Sequence, residues 1–309
     1  MNDAEAGRIL DIILTMRNET SPGAAAEGGA YNRRKIARAM RLGGPIKLLL
    51  PAFPAKSSNP EKTLGSLPDY GEVLALKRLD GLCRRIGEAY APGARLMICS
   101  DGRVFSDLVS VSDEAVSRYG QGIARIIADY GLERLSTFDL EDAFPDCAGY
   151  EELRARLVSE CAEPVSAVRE RTLRDPASLQ LFNGIHRFLF EDMLVLQPGL
   201  SRNKARLAAK ELAYAVISRS NAWSGLVERR FPDAVRLSIH PQPAESRKIG
   251  VRLLPSASAW RTPWHSALLF DGKDHSLVRR REAEEMRAVL VQADGRYPYY
   301  MTESAHALN

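Results

Sequence analysis

Hydrophobic and polar positions follow two rhythms along this chain, and the switch between them outlines the fold. Ile9, Ile12, Ile13 and Met16 recur at helical spacing, which predicts an amphipathic helix over residues 5–17. Residues 45–50, PIKLLL, form an apolar run of strand length that leads into a long proline-rich loop, 51–68. Asp69 and Glu72 then have the spacing of a capping box. Val73, Leu76, Cys83, Ile86 and Tyr90 give the helix they start its buried stripe. A second apolar strand, 96–99, opens into a polar loop at 100–112. A helix from Ser112 follows, with Val116, Ile123, Ile126, Ile127 and Tyr130 on one face, and then a third strand at 135–138. This order predicts parallel strands joined by crossovers, with both long loops opening on one edge of the sheet.

Residues 140–230 read as mostly helical, with charged helices at 151–174 and 203–230 around the segment 179–193. After that the period drops to two in AVRLSIHP (234–241), KIGVRLL (248–254), HSALLFDG (265–272) and RAVLVQA (287–293). Such strands are expected to add to the sheet in antiparallel fashion. The predicted fold is α/β: a Rossmann-like sheet with parallel N-terminal strands, antiparallel additions in the C-terminal part and a helical middle segment. No internal repeat or clean boundary divides residues 1–309, so a single domain is expected.

Composition narrows the function. The 309 residues, 45% of them hydrophobic, are enough to bury a large core. Lys and Arg number 43 against 39 acids, a net charge of +4, too small and dispersed to indicate a nucleic-acid partner. Arg33, Arg34, Lys35, Arg38 and Arg41 form one basic cluster, which reads as a solvated face, and Arg279–Arg281 form another basic patch. Residues 21–30, SPGAAAEGGA, read as a flexible segment. Cys83, Cys99, Cys147 and Cys161 are widely spaced, which suits free thiols in a reducing compartment. There is no signal-peptide pattern and no apolar run near the roughly 20 residues that cross a bilayer. A soluble, cytoplasmic protein without a membrane partner is expected.

Candidate chemistry concentrates at strand ends. In open α/β sheets, ligands bind beyond the carboxyl ends of the strands. Ser100, Asp101, Arg103, Ser106 and Asp107 follow the second strand, and Lys56 and Ser57 lie beside Phe53 after the first. Asp and Ser are also common turn residues, so spacing alone leaves a capping role for Asp101 and Asp107 equally open. His240 (SIHP) and His265 (TPWH) flank predicted strands and are candidates for proton transfer. A metal site built from both histidines and an aspartate has no supporting ligand spacing. His186, among Phe182, Phe188 and Phe190, reads as packing. There is no GxGxxG after a strand, no GxxxxGK[ST], no GxSxG and no HExxH.

Five segments carry a resemblance: PAFPAKSSN (51–59), LGSLPD (64–69), ICSDGRVFSD (98–107), RLSIHP (236–241) and TPWH (262–265). In this order they resemble the isonitrile synthase, or pyoverdine/dityrosine biosynthesis, family. Ser110 and Ser266 depart from that pattern, standing where glycine is expected. The resemblance implies an enzyme that joins the amino group of L-tyrosine or L-tryptophan to the ketone carbon of ribulose 5-phosphate and leaves that carbon on nitrogen as an isonitrile. It implies no metal or organic cofactor. It also implies a separate iron/2-oxoglutarate-dependent oxygenase that takes the product onward. On this reading Asp101 and Asp107 serve as acid and base or orient sugar hydroxyls. His265 is the first proton carrier and His240 the second. Lys56 and Arg103 recognise anions, Ser57, Ser100 and Trp264 line the substrate site, and Lys47 and Lys248 are weaker electrostatic candidates. Two alternatives stay open on the residues alone: an aldolase-like or transferase enzyme acting on a sugar phosphate, and a polyanion-binding module using the basic clusters.

Overall fold

The computed structural model describes residues 3–18, 26–243, 246–258 and 261–307. It opens with helices α1 (Asp3–Leu14) and α2 (Ala26–Arg41), then strand β1 (Ile46–Pro51), helix α3 (Tyr70–Ala89) and strand β2 (Ala94–Cys99). Short α4 (Gly102–Phe105) leads to α5 (Asp113–Asp129), β3 (Leu135–Phe138) and α6 (Leu140–Ala143). The helical segment comprises α7 (Tyr150–Cys161), α8 (Val165–Arg174), α9 (Pro176–Leu196) and α10 (Arg202–Arg230). The rest is β4 (Val235–Ser238), β5 (Lys248–Gly250), β6 (Ala267–Phe270), β7 (His275–Val278), α11 (Arg280–Glu285), β8 (Val289–Ala293), β9 (Tyr297–Met301) and α12 (Glu303–His306).

Strand order in the main sheet is β3-β2-β1-β4-β5, parallel throughout. The chain builds outward from β1 to β3, then returns to lay β4 on the other side of β1. The crevice between the carboxyl ends of β1 and β4 is therefore the topological switch point, where ligands bind in such sheets. Alternation along the strands feeds two cores. Ile46, Leu48 and Leu50 join α1, α3 and α5 on one face, through Ile9, Leu76 and Ile126. Leu49, Cys99 and Phe138 meet α7 and α10 on the other, through Leu157 and Trp223. Trp223 fixes that second layer, since its indole N–H donates to the Cys99 carbonyl at 3.3 Å and its ring stacks on Phe138.

Several sequence expectations change. The strands within 234–241 and 248–254 pair parallel, not antiparallel, because the helical segment acts as one long crossover that delivers β4 beside β1. Antiparallel pairing belongs to a second, mixed sheet in the order β7-β6-β9-β8. The expected helix at 151–174 breaks at Pro164, which caps α8 instead of continuing α7. The loop expected at 100–112 contains α4 and a 3₁₀ turn, Ser106–Leu108. Of the segment read as flexible, 21–25 lies outside the described residues, whereas 26–30 begin α2. That helix has a buried i, i+4 stripe of Asn32, Ile36 and Met40 to dock it.

Candidate active site

β1 runs out at Pro51 and the chain turns sharply at Phe53, whose φ of 57° lies in the left-handed region. Three contacts hold the turn. The Phe53 and Trp264 rings lie 5.0 Å apart, and Ser100 Oγ donates to the Phe53 carbonyl at 3.0 Å. In addition, α4 abuts Pro54 so closely that a Cβ on Gly102 would stand 2.1 Å from the Pro54 oxygen. The two long loops thus meet on one edge, as the strand order implied. A further tie is Ser58 Oγ, which donates at 2.6 Å to the carbonyl of Ser110. Ser110 has a φ of 57°, a conformation that favours the glycine expected there.

Beneath this turn lies a buried charge cluster. Lys56 Nζ sits 2.7 Å from Asp69 Oδ2 and 2.9 Å from Glu72 Oε2, and it donates to the Pro263 carbonyl at 2.9 Å. Tyr119 donates to the other oxygen of Glu72 at 3.1 Å. The expected capping box of α3 forms, and Lys56 turns the same two carboxylates into an ion triad. Burial pulls the Lys56 ammonium down, but Asp69 and Glu72 outweigh it and hold the group above its ordinary value. One ammonium cannot compensate two buried carboxylates equally, so burial raises the Glu72 carboxyl despite Lys56. Lys56, expected to bind substrate, is instead a strut. Through Pro263 it secures the 3₁₀ turn Pro263–His265, which Ser57 also holds by donating its N–H to the Trp264 carbonyl.

Further candidates lie above the cluster. Asp101 follows β2, and its Oδ1 is buried with no hydrogen-bond partner among the described residues. Burial pushes its carboxyl up to about 7. His265 pairs its Nδ1 with Thr262 Oγ1 at 3.3 Å and lies against Phe188 of α9, ring centroids 4.4 Å apart. Burial and the charges of Lys62, His240 and Lys56 lower it well below the ordinary imidazole value, so it is neutral at pH 7. His240, past the end of β4, is lowered to about 4 by burial and Lys248. Asp192 of α9 pins the helical segment over the site. It accepts from Asn59 Nδ2 at 2.8 Å and Ser57 Oγ at 3.4 Å, and pairs with Lys62 Nζ at 2.7 Å. Lys62 in turn lies 4.0 Å over the Phe188 ring.

Other candidates lie elsewhere or are engaged. Arg103 gives Nε to Glu141 at 2.8 Å, Nη1 to the Asp113 carbonyl at 2.8 Å and Nη2 to Ser117 at 2.6 Å, and stacks on Tyr150. Its fork is spent on tying α4 to its neighbours, not on an anion. An open recess of about 740 Å³ lined by Glu141, Phe144, Cys147 and Tyr150 adjoins it but contains none of the converging candidates. Asp107 is half-exposed and takes both oxygens to Arg219 Nη1, at 2.6 and 2.9 Å. Lys47 is exposed near the amino end of β1, away from the crevice. Trp264 is buried as packing beneath the turn. No three potential metal ligands gather among the described residues. Several arginines of the basic clusters are ion-paired: Arg38 to Asp233, Arg279 to Glu191 and Arg281 to Glu61. These pairs neutralise part of each cluster in place.

Residues 36–291 match the family model described as pyoverdine/dityrosine biosynthesis protein. The chain belongs to this family, the isonitrile synthases. An L-tryptophan isonitrile synthase of Fischerella ambigua is 48% identical over 256 residues, 83% of this chain and 77% of that protein. An L-tyrosine isonitrile synthase of Pseudomonas aeruginosa is 43% identical over 269 residues, 86% of this chain and 82% of that protein. The crystal structure of PvcA from Pseudomonas aeruginosa superposes with a TM-score of 0.91 at 40% identity, covering 96% of this chain and 99% of that one. Within this isonitrile synthase fold, sequence reasoning missed Lys62, Asp192, Glu72 and Tyr119 as site-building residues. Asp192 carried a signal, as a carboxylate inside the mostly apolar helix 179–193.

Proposed function

We propose that this enzyme converts the α-amino group of an aromatic L-amino acid, tryptophan or tyrosine, into an isonitrile, with the carbon supplied by the ketone position of ribulose 5-phosphate. The observation that carries the reading is the extended likeness to synthases named for those two amino acids. The site chemistry supports it. The amine nitrogen attacks the ketone carbon and water leaves, giving an imine; the step needs a neutral amine and a group that gives and takes protons near pH 7. Asp101 has that range, and the neutral imidazoles of His265 and His240 stand beside cations that disfavour a protonated amine. The proposed product passes to a separate iron/2-oxoglutarate-dependent oxygenase. No helix among the described residues is long and apolar enough to cross a membrane.

The test is incubation with ribulose 5-phosphate labelled at its ketone carbon, together with L-tryptophan or L-tyrosine, followed by mass spectrometry. The expected product retains the amino-acid skeleton and gains one labelled carbon on nitrogen. An isonitrile without the label would overturn the carbon source. No product from folded enzyme with either amino acid would overturn the substrate assignment.

A further inference from the structure

On the α10 face of the main sheet, two cations lie side by side. Arg236 of β4 and Lys248 of β5 are register partners. Both reach Ser224 of α10: Arg236 Nη2 donates to its Oγ at 2.5 Å and Lys248 Nζ at 2.9 Å. Like charges placed directly opposite on adjacent strands are destabilising, so the pair needs a reason. Glu228 takes Arg236 Nη1 at 2.5 Å, but Lys248 has no carboxylate within 4.0 Å among the described residues. Arg236 is 6% exposed, and its buried Nε–H has no acceptor among the described residues. Ser224 Oγ accepts from both cations and keeps its own O–H to donate outward. Among the described residues the group is one negative charge short and has spare donors. Every other lysine of the site, Lys56 and Lys62, already holds a carboxylate.

Its place in the fold points to substrate. Arg236 pairs in register with Leu49, on the two strands that flank the switch-point crevice. Gly250 of β5 has backbone so near His240 that a Cβ there would meet the His240 carbonyl at 2.9 Å. The turn carrying His240 therefore folds over the carboxyl end of β5, two residues beyond Lys248.

We infer that Lys248, Arg236 and Ser224 form the seat for the phosphate monoester of the sugar substrate. The inference rests on the proposed function and names the group that anchors one of its two substrates. A phosphate dianion supplies the missing negative charge, and its three oxygens match a guanidinium N–H, an ammonium and a hydroxyl.

The test compares wild type, Lys248→Met and Lys248→Arg, each shown to be folded by thermal denaturation. Loss of one charge-assisted contact is expected to raise KM for ribulose 5-phosphate about 10- to 100-fold in Lys248→Met. KM for the amino acid is expected to move less than about 3-fold, and Lys248→Arg to recover part of the loss. Inorganic phosphate should raise the Tm of wild type and not that of Lys248→Met. A KM for the sugar phosphate that Lys248→Met leaves unchanged overturns the seat. So does a rise confined to the amino acid, which would assign the cations to its carboxylate. The two readings fail separately. If wild type makes no isonitrile yet Lys248→Met abolishes the phosphate-induced Tm shift, the functional reading falls and the anion seat stands.

Discussion

Asp101 and Asp107 lie six positions apart, and sequence gave them equal standing. Their surroundings separate them. Asp107 spends its carboxylate on Arg219 at a half-exposed position, whereas Asp101 keeps a buried oxygen unengaged. Asp101 titrates near 7 when folded, against about 4 for an unfolded aspartate. Between those values the folded chain holds a proton that the unfolded chain has lost, so this group's contribution to stability falls as pH rises through the window. Asp101→Asn removes that dependence. Its Tm relative to wild type is expected to climb as pH goes from about 5 to about 8, while turnover falls about 10²- to 10⁴-fold. An equal Tm difference at both ends would return Asp101 to an ordinary carboxylate. Asp107→Asn should cost less than about 1 kcal/mol in urea denaturation, in keeping with an exposed ion pair.

At the level of elements, the site depends on how closely α4 approaches the Phe53 turn. Gly102 permits the approach because any side chain there meets the Pro54 oxygen and Val116. Gly102→Ala is expected to lose about 1–3 kcal/mol in chemical denaturation. It should also reduce turnover, because the relief available is to push the Phe53–Pro54 turn away from Asp101. Unchanged stability with normal turnover would mean that the approach is not needed. The elements themselves were largely legible: the α3 capping box, the β1 and β2 apolar runs and the α5 stripe come from local pattern. The pairing of β4 was not. Period-two alternation tells which face of a strand is buried, but says nothing of the neighbour it pairs with or the direction.

Across the whole molecule, the first core joins the two sheets, since Leu48 of β1 and Leu268 of β6 belong to one buried cluster. We propose that residues 1–309 unfold as one cooperative unit, and differential scanning calorimetry should show a single transition with equal calorimetric and van't Hoff enthalpies. Two resolved transitions would divide the chain at the sheets. Lys56 is the polar counterpart of that joint, linking β1's loop to the turn before β6. Lys56→Met leaves Asp69 and Glu72 buried without their cation, so a loss of about 3–5 kcal/mol is expected from the urea midpoint. A much smaller loss would mean that the triad is hydrated.

Local pattern was enough for α1, α3, α5 and α10, for the parallel β1–β3 core and for the two loops of the candidate site, because periodicity, caps and turn residues act over a few neighbouring positions. The family likeness rests on such local segments too. Which polar groups stay free emerges from contacts between distant segments. Lys56 is spent on Asp69, Glu72 and the distant Pro263 carbonyl, and Asp107 on Arg219, whereas among the described residues Asp101 retains a bare buried oxygen and Lys248 meets Arg236 without a carboxylate of its own. Whether a charged side chain is a strut or a reagent depends on its desolvation and its partners, and those partners come from segments as far as 207 residues away.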